Sequence, residues 1–297
     1  MIVEIVDKIN IINPLHGKKL KRSIKKQDEY FFSASSEFLN RYSVLLEKEN
    51  RTIDYAIDCY LKMIADFNFE AIGFLETGKY SSSSFEEVNK RVYADPQIME
   101  YYMHGLLLSQ FLFTHHYDVL LYFNEIINKN KTTISNYLEV GGGHGLYISE
   151  AITRIGKSTS FDMVDISQSS LDIAKKMVDN ENVNYILSDI FDYNPSKKYD
   201  FITMGEVLEH VEDPIALLKK LGELLSDNGK LYITTPTNAP AIDHIYLFKN
   251  AKEIRQLIND GGFNIENEFC VFSEDLPAEI CEEYKISMLF AGVLTKK

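Results

Sequence analysis

From Thr132 onward, short apolar runs alternate with amphipathic helical patterns. That alternation restricts the chain more than any other feature. Residues 136–140, 160–165, 184–187, 200–204 and 230–234 are expected strands, and residues 146–155, 168–179, 214–225 and 251–260 are expected helices. Such alternation predicts a parallel sheet covered on both faces. The last two apolar runs, 265–272 and 286–294, have no helix of comparable length between them and predict an antiparallel pair at one sheet edge. The expected fold class is α/β, a seven-stranded, mostly parallel sheet preceded by an all-α domain.

Before Thr132 no strand alternation of any length occurs. Across 51–67 the residues Ile53, Ala56, Ile57, Tyr60, Leu61 and Ile64 fall at helical steps on one face. A polar loop at 81–84 precedes Ser84 and Glu87, whose capping-box spacing opens a helix through Val92. Asp95 before Pro96 starts another helix, and 116–128 form a further one. Residues 1–131 are read as a helical module and 132–297 as the sheet domain.

The two parts differ in charge. Residues 1–134 hold 16 basic and 18 acidic side chains, against 15 and 26 in the remainder, and 20 of the 36 Phe and Tyr lie in the first part. A net charge of -13 repels phosphate backbones and argues against nucleic acid as a partner. The six basic residues within 18–26 are an exception, read as a solvated face. No apolar run reaches membrane-spanning length, and the start lacks the pattern of a signal peptide. Cys59, Cys270 and Cys281 form no CxxC pair, which suits a reducing, cytoplasmic setting.

The sharpest local signal is Tyr137-Leu138-Glu139-Val140-Gly141-Gly142-Gly143-His144-Gly145, at an expected strand-to-helix junction. Glycines there let backbone approach a ligand and place a helix N-terminus against it. A dinucleotide fingerprint needs a third glycine at 146, where the chain has leucine. The E-x-G-x-G-x-G spacing instead resembles the first motif of class I S-adenosylmethionine-dependent methyltransferases. Asp165 ends the second strand, Asp189-Ile190 follow the third, and Gly205-Glu206-Val207-Leu208-Glu209-His210-Val211-Glu212-Asp213-Pro214 follow the fourth. The last segment resembles the ubiquinone-biosynthesis branch of that family. The resemblance spans about 132–297 and implies a Rossmann-like domain that uses S-adenosylmethionine and releases S-adenosylhomocysteine. It implies cofactor contacts from Glu139, Gly141, Gly143, Gly145, Asp165, Ile166, Asp189, Ile190, Gly205 and Glu206.

The expected reaction is methyl transfer to a small molecule, at oxygen if His210 and His244 accept the proton with Glu209 beside them. Nitrogen or carbon acceptors remain open. Glu206, Glu209, His210 and His244 also resemble the metal-binding set of small-RNA 2'-O-methyltransferases, so a divalent ion is an alternative that is not favoured. Residues Tyr101, Tyr102, His104, His115 and His116 of the aromatic helical module are candidates to meet the acceptor, although aromatic stripes at helical spacing also serve as core. Adjacent histidines diverge on a helix, so at most one of His115 and His116 is expected to face the site. The module is further expected to act as a lid and to form a homodimer. The rivals are a cofactor-binding protein without turnover and a nicotinamide-dependent oxidoreductase.

Overall fold

In the computed structural model, which describes residues 1–156, 158–178 and 180–297, the chain opens with α1 (Ile2–Ile12), α2 (Pro14–Ile24), α3 (Glu29–Lys48) and α4 (Ile53–Thr77). These are followed by α5 (Phe85–Val88), a π-helical turn (Asn89–Tyr93), α6 (Pro96–Leu112) and α7 (Thr114–Asn130). The caps follow from sequence: the Asp95 carboxylate accepts from the amides of Gln97 and Ile98 at 2.8 and 3.3 Å. Ser84 accepts from the Glu87 amide at 3.3 Å. Two elements differ from expectation. Helix α4 runs ten residues beyond 67 and ends at left-handed Gly78; Phe69, Ile72 and Leu75 are exposed there, so the core-facing period did not show the extension. The helix expected through Val92 is α-helical only to Val88, then widens so that the Ala94 amide donates to the Asn89 carbonyl at 2.7 Å.

The sheet half contains β1 (Asn136–Val140), α8 (Leu146–Ile155), β2 (Ser160–Asp165), α9 (Gln168–Val178), β3 (Val183–Leu187) and β4 (Tyr199–Gly205). After a 3-10 turn at Leu208–His210 come α10 (Pro214–Leu224), β5 (Leu225–Thr237), α11 (Ala251–Asp260), β6 (Phe263–Phe272), α12 (Ala278–Glu283) and β7 (Met288–Lys296). The expected end of α9 at Asp179 lies outside the described residues. The seven strands run in the order β3-β2-β1-β4-β5-β7-β6, with β7 antiparallel to both neighbours and the remaining pairs parallel. Strand order reverses between β1 and β4, the switch point where open α/β sheets leave a crevice beyond their carboxyl ends.

Period-two alternation sends Tyr137, Phe161, Phe201 and Tyr232 to one face, and Leu138, Val164, Ile202 and Ile233 to the other, against α10 and α11. The first face shares one continuous core with the helical half. Helix α7 lies directly on it: the Tyr232 hydroxyl donates to the Val119 carbonyl, and the Phe123 ring packs 4.7 Å from Tyr147 and 5.0 Å from Tyr232. Helix α7, which precedes the expected boundary at 131, thus packs on both α6 and the sheet. No helix among the described residues is long and apolar enough to cross a membrane.

Candidate active site

A cavity of about 900 Å³ opens at the switch point. The loops after β1, β2, β3, β4 and β5 form its floor, and α2, α4, α6 and the start of α7 close it from above. Gly141 turns the chain out of β1 with φ 62°, and a Cβ there would come within 2.6 Å of the Val207 side chain. Gly143 and Gly205 also line the cavity. Gly145 does not. It begins α8 with φ 76°, where a Cβ would lie 2.9 Å from Val178 and 3.1 Å from Ala174, so it lets α8 approach α9.

Acidic groups define the cofactor end. Glu139 is buried, its Oε2 has no hydrogen-bond partner, and burial pushes its carboxyl well above the usual range. Asp165 accepts from the amides of Gly143 at 3.0 Å and Ser167 at 2.8 Å, and burial outweighs these amides to raise its pKa. Asp189 accepts from the Phe191 amide at 2.9 Å, and Ile166 and Ile190 line the wall beside it. Glu206 has φ 54°, held there because its amide donates to the Thr234 carbonyl at 3.0 Å and hydroxyl at 3.1 Å. Its Oε1 is unpartnered, and burial raises its pKa to about 7. Buried carboxylates with empty valences are costly unless a cation or hydroxyl-rich ligand completes them.

Beyond β4 and β5 stand the histidines. His210 and His244 both line the cavity, their rings perpendicular and 4.8 Å apart. Burial, and secondly His210, lower the His244 pKa to about 4, and its Nδ1 has no partner. Nδ1 of His210 lies 2.9 Å from the Asp243 carbonyl and 3.1 Å from the Tyr93 hydroxyl. Glu209 is fully buried and does not line the cavity. It braces two loops instead: Oε2 accepts from the Thr235 hydroxyl at 2.8 Å, and its carbonyl accepts from the Ile245 and Tyr246 amides. Glu209, His210 and His244 bring one donor atom each within 4.8 Å of one another, and Glu206 falls outside that group.

The helical candidates divide. Tyr102 lines the cavity and donates to Asp243 Oδ1 at 2.9 Å. Tyr101 faces elsewhere, donating to Asp66 at 2.7 Å under the Lys62 ammonium, because adjacent helical positions diverge. His104 is likewise outside the lining; its Nδ1 meets the Tyr42 hydroxyl at 2.7 Å inside the helical core. Both His115 and His116 line the cavity, with rings 4.6 Å apart, so the expectation that at most one would do so is corrected. They sit in the first turn of α7, where the cavity wraps the helix end rather than one side. Burial lowers the His116 pKa to about 4 and holds that of His115 well below the usual imidazole value.

Sequence reasoning missed Asp243, Tyr93 and His144. Asp243 receives hydrogen bonds from the helical half, and His144 lines the cavity with an unpartnered Nδ1. An acid directly before a histidine in a loop after a strand was the available signal for Asp243.

The sequence profile of the family described as "Methyltransferase domain" matches residues 111–283. The chain is 37% identical over 101 residues to malonyl-[acyl-carrier protein] O-methyltransferase 1 of Ilyobacter polytropus, covering 34% of this chain and 37% of that protein. It is 34% identical over 127 residues to the ubiquinone biosynthesis O-methyltransferase of Coxiella burnetii, covering 42% and 53% respectively. The aligned segments therefore span only about a third to a half of these relatives. Among solved structures, mitomycin 7-O-methyltransferase superposes with a TM-score of 0.55 at 10% identity, covering 78% of this chain and 68% of that one. The plantazolicin methyltransferase in complex with SAH superposes with a TM-score of 0.51 at 16% identity, covering 72% and 95%. These two likenesses concern the fold.

Proposed function

The chain belongs to the methyltransferase-domain family, and from that membership we propose that it transfers a methyl group from S-adenosylmethionine to a hydroxyl of a small molecule. The observation that carries the reading is the pair of unpartnered carboxylate oxygens, on Glu139 and Glu206, at the switch-point cavity. They fit a cationic cofactor: Glu139 and Glu206 would supply negative charge, Asp165 would accept from its sugar hydroxyls, and Asp189 with Ile190 would hold its base. When bound, the sulfonium supplies an activated methyl, which leaves sulfur with the bonding pair remaining on sulfur.

The protein's own groups orient the acceptor and take its proton. His210 is the proposed base, with Nε2 receiving the hydroxyl proton as the oxygen attacks. His244 stays neutral at pH 7 and is too weakly basic for that task, so its unpartnered Nδ1 is assigned to holding the acceptor. Tyr102, Met103, His115 and His116 supply further cavity wall from the helical half. The cavity exceeds what a single small acceptor occupies, leaving room for cofactor and acceptor together.

A second reading, a divalent ion that lowers the acceptor's pKa, draws on the grouping of Glu209, His210 and His244, with Oε1 of Glu209 and Nδ1 of His244 unpartnered. Turnover lost on exhaustive chelation and restored by Mg²⁺ favours it; unchanged turnover removes it. The main proposal is tested with methyl-labelled S-adenosylmethionine over a panel of phenols, catechols, amines and activated carbon acids. Label on oxygen of a hydroxylated acceptor is expected. Label exclusively on nitrogen or carbon refutes the oxygen assignment.

A further inference from the structure

We propose that Asp243 is a positioning residue that fixes the tautomer of His210, and that Tyr93 and Tyr102 hold it in place so that docking of residues 80–102 completes the site. This rests on the role given to His210 above. A carbonyl oxygen only accepts, so the 2.9 Å contact between the Asp243 carbonyl and His210 Nδ1 requires the proton on Nδ1. The other tautomer would set two lone pairs against each other at that distance. Nε2 then keeps its lone pair, which both a base and a metal ligand need.

The Asp243 side chain is buried and anchored from the helical half. The Tyr102 hydroxyl donates to Oδ1 at 2.9 Å, and the Tyr93 hydroxyl reaches Oδ2 at 3.5 Å while standing 3.1 Å from His210 Nδ1. Burial and the nearby carboxylate keep both phenols protonated, and therefore donors. The groups facing the His210 ring are thus Tyr93 from the π-helical turn, Asp243 and His244 from the loop after β5, and Glu209 from its own turn, with Oε1 3.7 Å from Nε2.

Three more ties join the same segment to the same loops. The Ala239 amide donates to the Tyr80 hydroxyl at 3.1 Å, the Phe85 amide donates to Glu212 at 2.9 Å, and Arg91 donates to the Ile242 carbonyl. The Tyr80 ring also packs edge-on against His244, 5.6 Å away. The π-helical turn has a use in this arrangement, because the widened backbone leads directly into Tyr93, which meets His210 and Asp243. Residues 80–102 therefore act on the histidine through Asp243 instead of only roofing the cavity.

The test is nitrogen-15 spectroscopy of the full chain labelled at histidine, which reads tautomers without turnover. In the unaltered protein His210 is expected to show a protonated Nδ1 and a bare Nε2. In Asp243→Ala the population of the other tautomer is expected to rise about tenfold. The double variant Tyr93→Phe/Tyr102→Phe, which preserves ring packing, is expected to show the same change. An unchanged His210 tautomer in the double variant overturns the proposal, even where Asp243→Ala fails to fold. Failure of the base assignment has a different signature: His210→Ala would methylate at the unaltered rate while the tautomer still depended on Asp243.

Discussion

Glu206 and His244 carry the most exposed predictions because burial moves both far from their usual ionisation. Empty, Glu206 titrates at about 7; a bound cation favours the carboxylate and lowers that value. Binding of S-adenosylmethionine should therefore strengthen as pH rises through about 7, with proton release below. Calorimetry in buffers of different ionisation heat measures this, and Glu206→Gln should flatten the profile around pH 7 and weaken binding about tenfold. For the histidines, His210→Ala should lower kcat by about 10²–10⁴. His244→Ala should mainly raise KM for the acceptor, since a group with a pKa of about 4 holds rather than deprotonates. Reversal of that pattern would exchange their roles.

At this scale legibility in the sequence was uneven. Glu139, Asp165 and Glu206 stand at or beside strand ends, where the resemblance to the family's motifs pointed to them. Asp243 has no periodic signature, since it gains its partners only when α6 and the π-helical turn dock on a loop some 150 residues away. Tyr101 and Tyr102 are indistinguishable in sequence, and their opposite destinations depend on which face of α6 meets the sheet half.

Among elements, most strands and helices after Thr132 were legible from their period and their start or stop signals, whereas β5 runs 225–237 beyond the expected 230–234 and the short α12 was not expected. Asp213 before Pro214 is one such start signal: its carboxylate accepts from the Ala216 amide at 2.9 Å. Helix α4 outlasted its pattern because its second half meets the cavity through Phe67 and Ala71 while Phe69, Ile72 and Leu75 are exposed. Helix α7 was visible as a helix but not as a cover for the sheet, since its apolar stripe does not name its partner. Its packing makes a definite prediction. Phe123 is fully buried between Tyr147 and Tyr232, so Phe123→Ala should cost about 3–5 kcal/mol in urea unfolding. A fragment starting at residue 132 should bind the apolar dye ANS or aggregate, because Tyr232 and Tyr147 lose their cover. A soluble fragment with cooperative unfolding would return α7 to the helical unit.

For the whole molecule, the charge imbalance and the architecture meet in the cavity. Seven acidic residues line it, and Lys19 is the one lysine or arginine in the lining among the described residues. The floor thus suits a cation, and the helical half adds aromatic and neutral imidazole surface above it. The continuous core between the halves means that ligand binding should stabilise both together. S-adenosylhomocysteine should raise Tm in a single transition, more at pH 8 than at pH 6 because Glu206 must be ionised. Two separated transitions, only one of them shifted, would show that the halves unfold independently.

The central claim, that the switch-point cavity is a site for a sulfonium-type nucleoside cofactor, is tested most directly by calorimetric titration of the intact protein with S-adenosylhomocysteine, run beside NAD. One site for S-adenosylhomocysteine, weakened by Glu206→Gln and blind to NAD, is the predicted result. Saturable NAD binding with no heat from S-adenosylhomocysteine would contradict it.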